Sequence, residues 1–307
     1  MGVRIAVLGH LEVHDDRMQP IDLDESYRRK WTVRNLLCVL ALADWSLSVA
    51  QLTSLLGEGE EALSSVGLRS TVYKARTVLG PLEKRLVTEK TSSGINQYRL
   101  VREEGDMFDV ADFEALAAQA IHARVAGDLP TAEDLYDRAL ALWRSEPGEA
   151  LLPDFRMTPT MRAFITPLLE LRAQAVQALI EVRLELGRHD PGLVETIRRC
   201  LAFDALDERL YGLLMLTLHR MGRRSEALRA FEEVSLLLAG QAEAIEPARM
   251  LHGLMARIRA DDPMLMHCSP KEALQVHRSL RPAALAGSAA SAQFAHTELR
   301  RPAAQSA

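Results

Sequence analysis

Apolar residues recur along this chain with two periods, and the switches between them predict its elements. In residues 3–23, Ile5, Val7, Leu11 and Val13 fall in short β-prone runs, and His14-Asp15-Asp16 marks a turn between strands. Helical spacing follows over 28–43, where Val33, Leu36, Leu37, Leu40 and Ala41 predict a buried helix. Asp44 to Leu47 interrupts it. Ser48 with Gln51 three residues later has the form of a capping box and predicts a short helix over Val49–Leu56, ended by Gly57-Glu58-Gly59.

A third helix is predicted over Glu61–Leu79. Leu68, Val72, Ala75 and Leu79 share one face, and the opposite side carries Ser70, Tyr73, Lys74 and Thr77, with Arg69 and Arg76 nearer its edges. Gly80-Pro81 ends this helix, since proline cannot continue it. The runs Arg85-Leu86-Val87-Thr88 and Gln97-Tyr98-Arg99-Leu100-Val101 then predict a hairpin around the polar tip Thr91-Ser92-Ser93-Gly94. Strands, three helices and a hairpin in this order describe a winged helix-turn-helix, with the third helix in the recognition position. An ordinary solvated helix is the plain alternative for residues 61–79 taken alone.

An acidic, loop-like stretch at Glu103–Asp106 marks a boundary between residues 1–105 and 106–262. Beyond it the pattern is almost wholly helical, with turns at Gly127, Gly187 and Gly222. The last two lie 35 residues apart (222 − 187), close to the tetratricopeptide period. Gly127…Ala132…Tyr136 and Gly222…Ala227…Phe231 repeat one spacing, in which a small residue permits close helix crossing and an aromatic fills the groove. Residues 263–307, poor in large apolar side chains and rich in Ala, Ser and Pro, are expected to form a disordered tail. The fold expected is mainly α with small β: an N-terminal winged helix-turn-helix followed by an all-α tetratricopeptide-like repeat domain.

Composition sharpens this picture in one place. The 307-residue chain carries a net charge of −5, yet residues 65–99 hold seven Lys and Arg against two Glu, a local excess of 7 − 2 = +5. One concentrated basic segment in an acidic chain points to a local anionic partner. The three cysteines are far apart and fit no disulfide framework or zinc spacing. Phosphate-loop, nucleophile-elbow and zinc-protease motifs are absent, so neither an enzyme nor a cofactor or metal site is expected. The opening VRIAVLG lacks the glycine-rich turn of a dinucleotide site. With no signal peptide and no membrane-length apolar run, the expected location is cytoplasmic, on the nucleoid when DNA is bound.

The segments IAVLGHLEV, RNLLCVLALADWSLSVAQLTSLLGEG, KARTVLG, ALALWR, residues 184–233 and AIEP run in one order. Together they resemble the Streptomyces antibiotic regulatory proteins (SARPs) over roughly residues 4–263. That family joins an OmpR-like winged helix to a tetratricopeptide-like bacterial transcriptional activation domain. The resemblance implies a transcriptional activator of a secondary-metabolite cluster, two protomers side by side on direct repeats, and contact with RNA polymerase. The family's basic recognition-helix ending falls on Lys74–Gly80, with Thr77 at a position usually basic. Leu55-Leu56 replaces the usual Leu-Trp, and the wing through Gly94–Tyr98 is longer than usual. The chain resembles the small members without an ATPase module.

The DNA-binding residues expected are Arg69 and Lys74 at base edges, with Ser70, Tyr73 and Thr77 adding hydrogen bonds. Arg76 is expected at a phosphate, Lys90 and Arg99 on the wing, and Arg34 on the backbone. Trp143 and Phe155 are expected in the core. Three rivals are weighed: a protein-interaction adaptor built on the helical array, a DNA-binding antagonist that does not activate, and, disfavoured by the absent motifs, a helical-repeat enzyme.

Overall fold

The computed structural model describes residues 2–23, 30–43, 45–57, 64–145, 151–153, 155, 157–241 and 245–275. Strand β1 (Arg4–Ala6) pairs antiparallel with β2 (Glu12–His14), placing Ile5 opposite Val13. The Asp15 carboxylate closes the following turn by accepting the N–H groups of Arg17 and Gln19 at 2.9 and 2.8 Å. Helix α1 (Lys30–Leu42) buries Val33, Leu36, Leu37 and Leu40, the positions its period selects. A two-residue strand β3 (Leu47–Ser48) precedes α2 (Val49–Leu56), whose capping box between Ser48 and Gln51 is formed.

Helix α3 spans Ser65–Leu79, so it starts later than the periodicity indicated. Ser64 is extended and its hydroxyl accepts the Gly67 N–H at 3.1 Å, which caps the helix there. Residues 58–63 lie outside the described residues. A short 3₁₀ turn (Gly80–Arg85) leads to β4 (Leu86–Lys90) and β5 (Asn96–Leu100). These pair antiparallel with Thr88 opposite Tyr98, and β3 adds to the other edge of β5 through Leu47.

The acidic stretch at 103–106 is tied at both sides. Asp106 accepts the N–H of Val3 at 2.9 Å and of Glu103 at 2.8 Å. Immediately after it, β6 (Met107–Phe108) joins β1 in parallel, giving the strand order β2-β1-β6. One hydrophobic cluster consequently runs from Val3 through α1–α3 to Leu179 and Val182.

The helical half consists of α4 (Asp109–Val125), α5 (Leu129–Leu140), the long α6 (Pro159–Glu185), α7 (Pro191–Phe203), α8 (Glu208–Arg220), α9 (Arg224–Ala239) and α10 (Arg249–Arg259). Three of its turns close in the same way. The N–H of Asp128, Arg188 and Arg223 each reaches the carbonyl five residues back, on Ala123, Arg183 and Leu218. This is the helix stop in which the preceding residue must turn left-handed, as Gly127 (φ 80°) and Gly222 (φ 75°) do. Ala132, Tyr136 and Ala227 are buried and Phe231 packs against a separate apolar cluster built mainly by α7–α10, so the repeated spacing marks helix-pair contacts. Trp143 and Phe155 are buried, as expected.

Residues 263–275, expected to belong to a disordered tail, are folded against the helices. Pro263–Met266 forms a 3₁₀ turn and α11 spans Pro270–Ala273, with Leu265 and Ala273 buried. The buried Arg220 guanidinium holds this segment, donating from Nε to the Leu265 carbonyl at 2.9 Å and from Nη1 to Leu184 at 2.8 Å. Average hydrophobicity concealed those few anchors. Residues 276–307 lie outside the described residues. No described helix is long and apolar enough to cross a membrane.

Candidate nucleic-acid interface

Helix α3 has a dry side and a wet side. Leu68, Thr71, Val72, Ala75 and Leu79 are buried, where α1 and α2 pack against the helix. On the opposite arc Arg69, Ser70, Tyr73 and Thr77 are exposed, Tyr73 at 72%. The Thr77 hydroxyl donates to the Tyr73 carbonyl at 3.1 Å, leaving its lone pairs outward. Lys74 is half-buried and already engaged within the protein. Arg69 is therefore the exposed long donor of this surface, toward one edge of the arc.

Arg76 does something the sequence did not show. Its Nε and Nη2 donate to the Leu86 carbonyl at 3.1 and 2.8 Å, and Nη2 also reaches Thr88 Oγ1 at 2.8 Å. The forked guanidinium thus braces α3 against the first wing strand, where it had been expected at a phosphate.

On the wing, Lys90 is exposed and has no ion pair among the described residues. Arg99 instead pairs with Glu89 across the hairpin at 2.9 Å, and Ser46 donates to the other Glu89 oxygen at 2.6 Å. Two hydrogen bonds close the tip: the Thr91 N–H donates to the Ile95 carbonyl, and the Thr91 hydroxyl accepts the Ile95 N–H at 3.0 Å. Arg34 is half-buried, is engaged within the protein, and lines a cavity with residues 11–14 and 20–23. The described structure does not bring it onto the α3 arc.

Two residues escaped the sequence reading. Val66 is 71% exposed, one turn-pair before Tyr73 on the same arc, and Ile95 is 53% exposed at the wing tip. Exposed apolar groups at these places suit contact with thymine methyls or sugar edges. Their helical phase and turn position carried the signal; their apolar character hid it.

The model for the bacterial transcriptional activator domain matches residues 108–259. Regulatory protein AfsR of Streptomyces coelicolor is 33% identical over 254 residues, 82% of this chain and 24% of AfsR. Regulatory protein DnrI of Streptomyces peucetius is 35% identical over 153 residues, 50% of this chain and 54% of DnrI. The chain belongs to the SARP family of regulatory proteins. It spans about a quarter of AfsR and about half of DnrI within these matches. Mycobacterium tuberculosis EmbR, solved in complex with a low-affinity phosphopeptide, superposes with a TM-score of 0.71. At 24% identity, over 89% of this chain and 68% of EmbR, that likeness shows the fold alone.

Proposed function

We propose that the chain binds promoter DNA sequence-specifically and activates transcription of a secondary-metabolite gene cluster. The observation that carries this reading is the exposed α3 arc of Arg69, Ser70, Tyr73 and Thr77, held beside a wing by the Arg76 brace. In this reading α3 enters the major groove, Arg69 donates to guanine acceptors, and Val66 and Tyr73 contact thymine methyls. Ser70, Thr77 and Lys74 hydrogen-bond bases or phosphates, and Lys90 holds the backbone from the wing. Arg99, paired with Glu89, contributes less than Lys90.

Two protomers occupy adjacent direct repeats, and the helical half offers its surface to RNA polymerase. Footprinting of the purified protein on promoter fragments of its neighbouring genes tests the first step. Protection of two sites about one helical turn apart is the expected result. No protection by folded protein at low salt would replace this reading with the protein-interaction adaptor. Reporter output from the protected promoter then separates activation from mere occupancy.

A further inference from the structure

We propose that the helical half contains a binding site for a small amphipathic acid, in two joined chambers along α6. The outer chamber has a volume of about 440 Å³, and its walls include Met157, Ile165, Leu169, Ala173, Val176 and Phe203. Pockets of a few hundred Å³ with apolar walls and a few convergent polar groups are the usual form of small-molecule sites. Its α6 lining extends from Arg162 to Gln177, which at about 1.5 Å per residue makes a long trough and favours an elongated body. The two carboxylates on its rim have partners already: Asp207 accepts the Leu210 N–H at 3.0 Å and Gln177 Nε2 at 2.7 Å, and Asp204 accepts the Leu206 N–H at 3.3 Å.

The inner chamber, about 240 Å³, shares the lining residues Arg172, Val176 and Cys200 with the outer one. It has the opposite chemistry. Arg144, Arg172, Arg183 and Arg199 line it, of which Arg144 pairs with Asp109, Arg183 with Glu133 and Asp137, and Arg199 with Glu195. Two more lining residues carry buried donors: Trp143 Nε1 and Ser145 Oγ have no hydrogen-bond partner among the described residues. A buried N–H left without an acceptor loses its hydration for nothing in return, so such groups in a folded protein call for a partner. Trp143 is 8% exposed, and the Arg172 guanidinium stacks 4.2 Å from its ring centroid, donating as well to the Ser145 carbonyl. Indole N–H, hydroxyl and guanidinium gathered in one arginine-lined chamber match a carboxylate. The acid occupies the inner chamber, and its apolar body lies in the trough between α6 and the end of α7.

The site is separate from the α3 arc, and its test uses no DNA, so it stands or falls independently of the proposed function. The full chain is titrated with the aromatic sulfonate 8-anilinonaphthalene-1-sulfonate, and decanoate, 2-naphthoate and decanol are used as competitors. Saturable binding at one site per chain, displaced by an acid better than by decanol, is expected. Displacement by decanoate assigns an acyl body and displacement by 2-naphthoate alone an aromatic one. Ala173→Phe, which fills the trough, should abolish binding. Trp143→Phe and Ser145→Ala remove one donor each and should weaken the acids about tenfold while leaving decanol unchanged. Melting curves by circular dichroism accompany each variant, so that any unfolded variant is set aside for the other two. Displacement by no acid, or acid binding unchanged in the folded variants, would overturn the proposal.

Discussion

Arg144 Nη1 lies 3.0 Å from Asp109 Oδ2, joining the end of the first helical pair to the first residue of α4. The same carboxylate accepts the N–H groups of Val7 and Leu8 just past β1, each at 2.8 Å to Oδ2. Arg144 also donates to the His10 carbonyl at 2.8 Å, and its own N–H donates to Leu8 at 2.8 Å. One ion pair thus fastens the N-terminal strands to the activation domain. Burial raises the Asp109 pKa, and the bonds from Leu8, Val7 and Arg144 act against that rise.

Replacing Asp109 with Ala leaves two backbone donors and a guanidinium without their acceptor. The loss expected is roughly 3 kcal/mol, read as a lower urea midpoint. Asp109→Asn keeps one acceptor oxygen and should lose less. A midpoint unmoved by either change would mean that this pair adds nothing to the joint, which β6, the Asp106–Val3 bond and the shared core then hold.

Arg69→Ala should relax sequence preference at one base pair, costing roughly 1–3 kcal/mol there and little elsewhere. Binding measured across a set of single-base operator variants reads this directly. A uniform loss across all variants would make Arg69 a phosphate contact.

Lys90→Ala should weaken binding to all sequences alike and reduce the slope of log K against log salt by about one. Arg99→Ala should change that slope less, because Glu89 already neutralises the guanidinium. Equal slopes for the two variants would contradict the hairpin pairing as a determinant of DNA contact.

Arg76→Ala removes the brace between α3 and β4, and a stability loss of about 1–2 kcal/mol is expected. DNA affinity should fall for every sequence, because the wing loses its fixed angle to the helix. Arg76→Lys should restore little, since one ammonium cannot reproduce the forked donation to Leu86 and Thr88.

His219 is buried in α8, and burial pulls its pKa below the ordinary 6.5. The unfolded chain therefore takes up the proton first. Stability from this group is complete above pH 6.5 and is lost as the pH falls through and below that value. Melting temperatures between about pH 7.5 and 5.5 should decline, and less steeply in His219→Gln. An identical decline in the variant would place the dependence on other groups.

The sequence alone determined those elements whose causes are local. The Ser48–Gln51 cap lies within four residues, the stripe of α3 within four turns, and the left-handed stops at Gly127 and Gly222 within a single loop. Such features follow from backbone geometry and side-chain period, which are written in consecutive residues. Tertiary structure alone decided what joins distant positions. It set β6 beside β1, drew Asp109 under Val7 and Leu8, turned Arg76 toward the wing, and seated 263–275 under Arg220. Each depends on which carbonyl or amide a folded chain delivers to a given charge, and no local pattern encodes that. The exposed Val66 belongs to both accounts: its helical phase was readable from the stripe, but only the folded structure showed that this apolar side chain is left uncovered.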